Sequence, residues 1–306
     1  MERQLKQAVP AERVVGSGQA PAAVALSVVL PARNEQGAVG VTVAAVLAQY
    51  PQAEVIVVDD GSTDDTARVA AQAGARVISR PYGMGNGAAI KTGARAARGE
   101  IIVFMDADGQ HAPADIARLL QRIDAGYDMV VGARGAGSQA SVGRGLANGF
   151  YNRLASWMTG HRIADLTSGF RAVRAARFRE FLHLLPNGFS YPTTSTMAFF
   201  RSAYAVGYVP IVAAPRIGRS HIKPLRDGLR FLLIIFKIAT LYSPLKLFAP
   251  VSVTFLVLGL GNYAYTFGHG HRFTNMSALL LSAAVIVFLI GLISEQITNL
   301  TYRRDA

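Results

Sequence analysis

Cysteine is missing from the sequence, which excludes disulfides, thiolate catalysis and zinc-thiolate sites. Acidic residues are few: 19 Asp and Glu stand against 31 Lys and Arg, a formal charge of +12 over 306 residues. That excess favours anionic partners such as nucleic acid, lipid headgroups or phosphorylated substrates. Nucleic acid is the poorest fit, because the chain has no Lys/Arg-rich block and no zinc-finger or aromatic RNA-binding motif. Residues 1–22 contain no continuous apolar stretch and are polar and rich in Ala, Gly and Gln. They read as a disordered tail rather than a signal peptide, so the domain that follows is expected to stay in the cytoplasm.

What is present is an alternation. Short apolar runs at 24–30, 54–58, 76–79, 101–105 and 128–132 read as strands. Stretches at 36–49, 85–98 and 113–125 read as helices, and Ser62 with Asp65 resembles a capping box for a helix after the second strand. This order predicts an α/β fold, a doubly wound, mostly parallel sheet covered by helices on both faces. Ligands bind such sheets at the carboxyl ends of the strands. Asp59 and Asp60 follow one predicted strand, and Asp106 and Asp108 follow another.

Beyond Phe231 the composition changes to almost unbroken apolar sequence. Residues 247–267 and 276–293 are each long enough to cross a bilayer. The connection 268–275 carries one Arg, whereas Arg230, Lys237 and Lys246 flank one outer end and Arg303 and Arg304 the other. The positive-inside rule then predicts a two-span hairpin in the inner or plasma membrane, with the catalytic domain and both termini cytoplasmic. Residues 223–243 place Arg226, Arg230 and Lys237 near one face of a helix whose remaining faces are Leu, Phe and Ile, a pattern suited to the headgroup region. The expected organisation is a tail (1–22), a catalytic domain (23–222), an interfacial helix (223–243) and a hairpin (244–306).

The strongest chemical signal is Asp106-Ala107-Asp108-Gly109-Gln110-His111 directly after a buried strand. Two carboxylates one residue apart form a hard oxygen site for Mg²⁺ or Mn²⁺, and substrate phosphates complete such a shell. Gln110 or His111 could add a ligand or a hydrogen bond. Pro31-Ala32-Arg33-Asn34-Glu35 and Asp59-Asp60 stand at neighbouring strand ends, where carboxylates can accept hydrogen bonds from a base and a ribose. Gly83-Met84-Gly85-Asn86-Gly87-Ala88 is a weak dinucleotide fingerprint, but it is not at the first strand–helix crossover. Its glycines are better read as allowing close backbone approach to a nucleotide or a neighbouring strand.

Taken together, PARNE, VVDDGSTDDT, GNGAAIKTG, FMDADGQH and TSGFR occur in the order found in family 2 glycosyltransferases. The chain resembles the branch of dolichol-phosphate mannose synthases and bacterial polyprenyl-phosphate glycosyltransferases, over about 24–222 with the hairpin extending the likeness. That resemblance implies a GT-A fold and a nucleotide-sugar donor contacted by Pro31, Arg33, Glu35, Asp59, Asp60, Lys91, Asp106, Ala107 and Asp108. It also implies a metal held by Asp106, Asp108 and Gln110, and allows a homotetramer. The absence of Q-x-x-R-W, with Trp157 the sole Trp, argues against the processive branch.

A polyisoprenyl (undecaprenyl or dolichyl) phosphate acceptor fits the lack of an evident general base, since a phosphomonoester is already largely ionised near pH 7. Such an acceptor needs cations and orientation. The candidates are Arg134, Arg144, Ser168, Arg171, Arg219, His221 and Lys223, with Asp165 expected to orient one of the arginines. Arg134 joins Asp106 and Asp108 as an expected catalytic residue. The expected reaction is inverting transfer from a UDP- or GDP-sugar in a lipid bilayer. Two alternatives are another membrane acceptor, such as diacylglycerol or a polysaccharide, and a non-catalytic nucleotide-binding membrane protein.

Overall fold

The computed structural model describes residues 25–135, 142–188, 190–212, 236, 240, 242–270 and 272–302. The tail and nearly all of the interfacial helix expected at 223–243 lie outside the described residues, as do Arg219, His221 and Lys223.

A seven-stranded sheet in the order β3-β2-β1-β4-β6-β5-β7 forms the centre. Its strands are β1 (Leu26–Ala32), β2 (Glu54–Asp59), β3 (Arg76–Ser79), β4 (Ile101–Phe104), β5 (Met129–Arg134), β6 (Arg171–Arg174) and β7 (Val206–Ile211). The helices between them are α1 (Val39–Gln49), α2 (Thr66–Gln72), α3 (Asn86–Ala96), α4 (Asp115–Asp124), α5 (Val142–Thr159), α6 (Ala175–Arg179) and α7 (Tyr191–Arg201). Because side chains alternate along a strand, one apolar run feeds two cores. Val28, Leu30, Val55, Val57 and Val103 face α1, α2 and α4, while Val29, Ile56, Val58, Ile102 and Phe104 face α3, α6 and α7. The double winding is as expected.

The sheet is mostly parallel, as expected, with one exception. β6 runs antiparallel to both β4 and β5, whereas β1–β2, β1–β4, β2–β3 and β5–β7 are parallel. The segment 160–170 comes back along the carboxyl edge of the sheet, so the chain enters β6 from that edge. A four-residue strand carries no sign of its direction in its residue pattern.

Between β1 and β4 the strand order reverses, and their pairing ends at Val29 with Phe104. Past that pair β1 continues beside β2 to Ala32 while β4 gives way to Met105–Asp108. A crevice therefore opens at the carboxyl ends of these two strands, the usual ligand position in such sheets.

Two further helices, α8 (Pro244–Gly270) and α9 (Asn275–Tyr302), form an antiparallel pair. Both are long and apolar enough to cross a membrane, with mean hydropathy 1.6 and 2.7 over their best windows. Most of their large side chains, such as Val257, Leu260, Leu279 and Ile293, are exposed. Inside the pair, Ser252 donates to the Ala284 carbonyl at 2.7 Å and Asn262 donates to Ser277 at 2.9 Å. An apolar outside around a hydrogen-bonded seam is the arrangement suited to lipid, where unsatisfied polar groups are costly.

Candidate active site

Two loops at the carboxyl edge are laced to each other. The Asn34 N–H donates to Ser62 Oγ (2.9 Å), the Thr63 N–H to Asn34 Oδ1 (2.8 Å), and the Glu35 N–H to Thr66 Oγ1 (2.8 Å). Asn34 takes a positive φ of 55°, which Asn tolerates better than most residues. Ser62 is thus not the helix cap expected of it, because its hydroxyl serves the other loop. α2 begins four residues later, and Asp64 accepts the Thr66 N–H at 3.1 Å.

Ala32, the residue before Arg33, pairs with Asp59 at the ends of the two strands. Asp59 is buried and accepts the Ser62 N–H at 3.0 Å. The Arg33 guanidinium lies over Gly83, where a β-carbon would collide with it. Pro31 lies within β1, paired with Val58.

Asp60 is turned inward. It accepts the N–H groups of Met84 and Gly85, each at 2.8 Å, and pairs with Arg80 Nη1 at 2.8 Å. Burial pushes its carboxyl up, but these three donors outweigh burial and hold it below the ordinary carboxylate range. In this arrangement Asp60 shapes the glycine loop. Arg80 extends the bracing to the Ala88 carbonyl (2.7 Å) and Thr92 Oγ1 (2.9 Å), a role the sequence reading missed.

The amino end of α3, which the fingerprint reading would give to a pyrophosphate, is filled by protein. The Ala88 N–H donates to the Asn187 carbonyl (3.0 Å) and the Gly87 N–H to the Gly188 carbonyl (3.2 Å). Gly85, at φ 104°, and Gly87 both press against the 186–188 backbone, where a β-carbon would clash. The close approach expected of these glycines is therefore to this loop. Lys91 belongs to the same contact, its Nζ bonded to the Leu185 carbonyl at 3.1 Å and Asn187 Oδ1 at 2.5 Å.

Asp106, Ala107 and Asp108 follow β4 into the crevice, with Ala107 and Asp108 buried and the Asp106 side chain 36% exposed. Asp108 Oδ1 accepts the Gln110 N–H at 3.2 Å. His111 is buried, stacked on Phe170 at 5.0 Å, with Nε2 at 3.6 Å from Asp106 Oδ2 and Nδ1 without a hydrogen-bond partner. Gly169 closes the far side: a β-carbon there would come within 3.3 Å of Asp106 Oδ2 and 3.4 Å of the Tyr191 hydroxyl. Tyr191 donates to the Gly169 carbonyl at 3.2 Å, and burial raises its hydroxyl pKa, so it stays neutral.

Among the described residues no three His, Cys, Asp or Glu side chains form a ready-made metal cluster. The Asp106–Asp108 pair is instead a two-carboxylate oxygen set at a partly open crevice. That donor chemistry fits Mg²⁺ or Mn²⁺ if substrate phosphates supply the remaining ligands.

Arg134 ends β5 on the same edge. Its Nε lies 2.8 Å and its Nη2 3.1 Å from the two oxygens of Asp165, and Nη2 donates to Thr167 Oγ1 at 2.7 Å. Asp165 also accepts the N–H groups of Arg134, Thr167 and Ser168, at 3.0–3.2 Å. Burial opposes charge on both partners. The pairing prevails, holding Asp165 below and Arg134 above their usual ranges, and the Asp106 charge adds to the Arg134 shift. Asp165 thus orients an arginine, as expected, and the arginine is Arg134.

The other acceptor candidates fall differently. Ser168 is buried with its hydroxyl unpartnered. Arg144 falls in the first turn of α5, its side chain outside the described set. Arg171 is fully buried, its guanidinium bonded to the Pro192 carbonyl (2.9 Å), Ser195 Oγ (2.8 Å) and the Ser168 carbonyl. A cation enclosed in this way has no face for an acceptor phosphate, so the structure removes Arg171 from that set. Gly169 and Tyr191 were not foreseen; the glycine of T-S-G-F-R was the available signal.

The family described as "Glycosyl transferase family 2" matches residues 27–184, and the "GtrB C-terminal hairpin" matches residues 243–300. The polyprenol monophosphomannose synthase of Mycolicibacterium smegmatis is 32% identical over 68% of this chain and 86% of its own length. The undecaprenyl-phosphate 4-deoxy-4-formamido-L-arabinose transferase of Edwardsiella ictaluri is 35% identical over 52% of this chain and 51% of its own. A glucosyl-3-phosphoglycerate synthase from Mycobacterium tuberculosis, solved with Mn²⁺, UDP-glucose and phosphoglyceric acid, superposes with a TM-score of 0.57. It is 24% identical and covers 70% of this chain and 78% of that one, which fixes the fold as GT-A-like.

Proposed function

The chain belongs to glycosyl transferase family 2, and from that premise we propose that it moves a sugar from a UDP- or GDP-sugar to a polyisoprenyl phosphate held in a bilayer. The observation that carries this reading is Arg134. It is a partly buried cation fixed by Asp165 on the crevice that holds Asp106, in a chain that ends in two bilayer-length helices.

Pro31, Arg33, Glu35 and Asp59 receive the nucleoside, and Asp106, Asp108 and Gln110 would hold a metal. Asp60 and Lys91 serve the donor indirectly, by fixing the glycine loop and the 185–188 loop. A bound Mg²⁺ or Mn²⁺ supplies charge neutralisation for the departing diphosphate. Arg134 draws the acceptor phosphate into line, assisted by Ser168 and Arg144. One phosphate oxygen forms a bond to the anomeric carbon while the bond from that carbon to the nucleoside diphosphate breaks, inverting the centre. The electron pair leaves with the diphosphate. No general base is required, because the nucleophile arrives ionised.

The hairpin spans the membrane with both ends and the catalytic domain on the cytoplasmic side, where nucleotide-sugars are made. The protein should be assayed in liposomes against undecaprenyl phosphate, undecaprenol and diacylglycerol with one productive donor. Transfer to the phosphate alone supports the proposal. Transfer to diacylglycerol or to the free alcohol replaces it with a different membrane acceptor.

A further inference from the structure

We infer that helix α7 is a strut between the reaction crevice and the membrane hairpin, and that Arg201 and Glu295 are positioning residues that lock its lower end. The inference rests on the function proposed above and concerns how a lipid-borne phosphate is brought to Arg134.

α7 has eleven residues, about 16 Å of helix at 1.5 Å per residue, and Tyr191 through Phe199 are all buried. Its first residue, Tyr191, is bonded to Gly169, which packs on Asp106. Its last residue, Arg201, reaches the hairpin. Nη2 lies 3.4 Å from Glu295 Oε1 and 2.6 Å from Asn299 Oδ1 on α9, and Nη1 donates to the Tyr242 carbonyl just before α8. Glu295 Oε2 in turn accepts the Leu245 N–H in the first turn of α8, at 3.4 Å. One ion pair thus joins α7 to both hairpin helices.

Its side chains are only 16% and 24% exposed. The Arg201 guanidinium lies over the ring of Tyr242, which belongs to a small apolar cluster with Met158, Met197 and Leu247, and Lys246 donates to the Met158 carbonyl at the end of α5. Glu295 is the only acidic residue between Asp227 and Asp305. A lone carboxylate at the end of an apolar span is costly unless paired, and a forked guanidinium binding several acceptors fixes orientation as well as distance. A purely apolar contact would leave the catalytic domain free to rotate on the hairpin. A membrane-bound acceptor cannot rise to meet a tilted crevice, whereas a soluble one can diffuse to it.

The test compares wild type, Glu295→Gln, Arg201→Gln and the milder Asn299→Ala in liposomes. Two acceptors are used: undecaprenyl phosphate in the bilayer and a short, water-soluble prenyl phosphate. The strut predicts at least a tenfold loss of transfer to the membrane acceptor for the first two variants, and a smaller loss for Asn299→Ala. Transfer to the soluble acceptor stays within about twofold, which also reports correct folding. Equal loss on both acceptors in all three variants, or no loss on either, overturns it.

A second readout does not depend on turnover. The chain has no cysteine, so spin labels can be placed at Gln121→Cys and Arg272→Cys without interference. The label distance should be narrowly distributed in wild type and broadened by Glu295→Gln. An unchanged distribution overturns the strut, even if wild type transfers to neither acceptor and the proposed function itself fails.

Discussion

Arg134 and Asp165 meet in a two-point ion pair, Nε to Oδ2 at 2.8 Å and Nη2 to Oδ1 at 3.1 Å, across the carboxyl edge of the sheet. The pair spends both carboxylate oxygens on orienting one cation and leaves the remaining guanidinium nitrogen, Nη1, outside those two bonds. A bidentate pair of this kind fixes a plane as well as a position.

Asp165→Asn should therefore lower transfer about ten- to hundredfold, mainly through the acceptor KM and kcat, while nucleotide binding is kept. Removing the carboxylate entirely in Asp165→Ala should also destabilise the fold, by about 3–5 kcal/mol, because a partly buried cation loses its partner. Acceptor kinetics and calorimetric nucleotide titration on the same preparations separate the two effects.

Gly169→Ala places a methyl at 3.3 Å from Asp106 Oδ2 and 3.4 Å from the Tyr191 hydroxyl. One of them must shift by a few tenths of an ångström. The expected outcome is a fall in kcat of tenfold or more with a melting temperature within a few degrees of wild type. Activity equal to wild type would show that the Asp106 position tolerates displacement.

Gly85→Ala should act on stability. The residue has φ 104° and faces the Asn187 carbonyl, so an alanine meets both backbone strain and a clash. A loss of about 1–3 kcal/mol is expected in chemical unfolding.

Acid should loosen the domain in a defined direction. Glu54, Asp60 and Asp165 are all pushed up by burial and pulled down further by their hydrogen-bond and cationic partners, so each sits below its ordinary range. A carboxyl depressed in the folded state adds stability above its unfolded value, roughly pH 4, and loses it as pH falls through the folded value. Unfolding free energy should be flat from pH 7 to about 5 and fall steeply below 4. Glu54→Gln, which removes the charge that Arg76 and Arg98 pair with, should make that fall shallower.

How much of this was legible in the sequence depended on range. Strand runs such as Glu54–Asp59 and the Asp106–Asp108 pair are local signals, and they appear where periodicity and turn chemistry put them. That Asp165 orients one of the candidate arginines was foreseen; that the arginine is Arg134 came from the structure. Strands β6 and β7 were not read from the sequence, and the four residues of β6 carry no sign of which edge they enter from. Ser62 looked like a cap because its competing partner, the Asn34 N–H, lies 28 residues away. Arg171 reads as an acceptor-phosphate cation in the sequence because the partners that enclose it, Pro192 and Ser195, come from a helix more than twenty residues on. The Arg201–Glu295 contact spans 94 residues, and only the isolation of Glu295 in an apolar stretch hinted at it.

The most direct measurement uses the purified protein with undecaprenyl phosphate, Mg²⁺ or Mn²⁺, and a panel of UDP- and GDP-sugars, reading the lipid fraction by mass spectrometry. The account predicts one glycosyl-phosphoprenol from a single donor, absent with EDTA and absent in Asp108→Ala at unchanged melting temperature. A product formed equally in EDTA and by Asp108→Ala, or no lipid product from any donor, would contradict it.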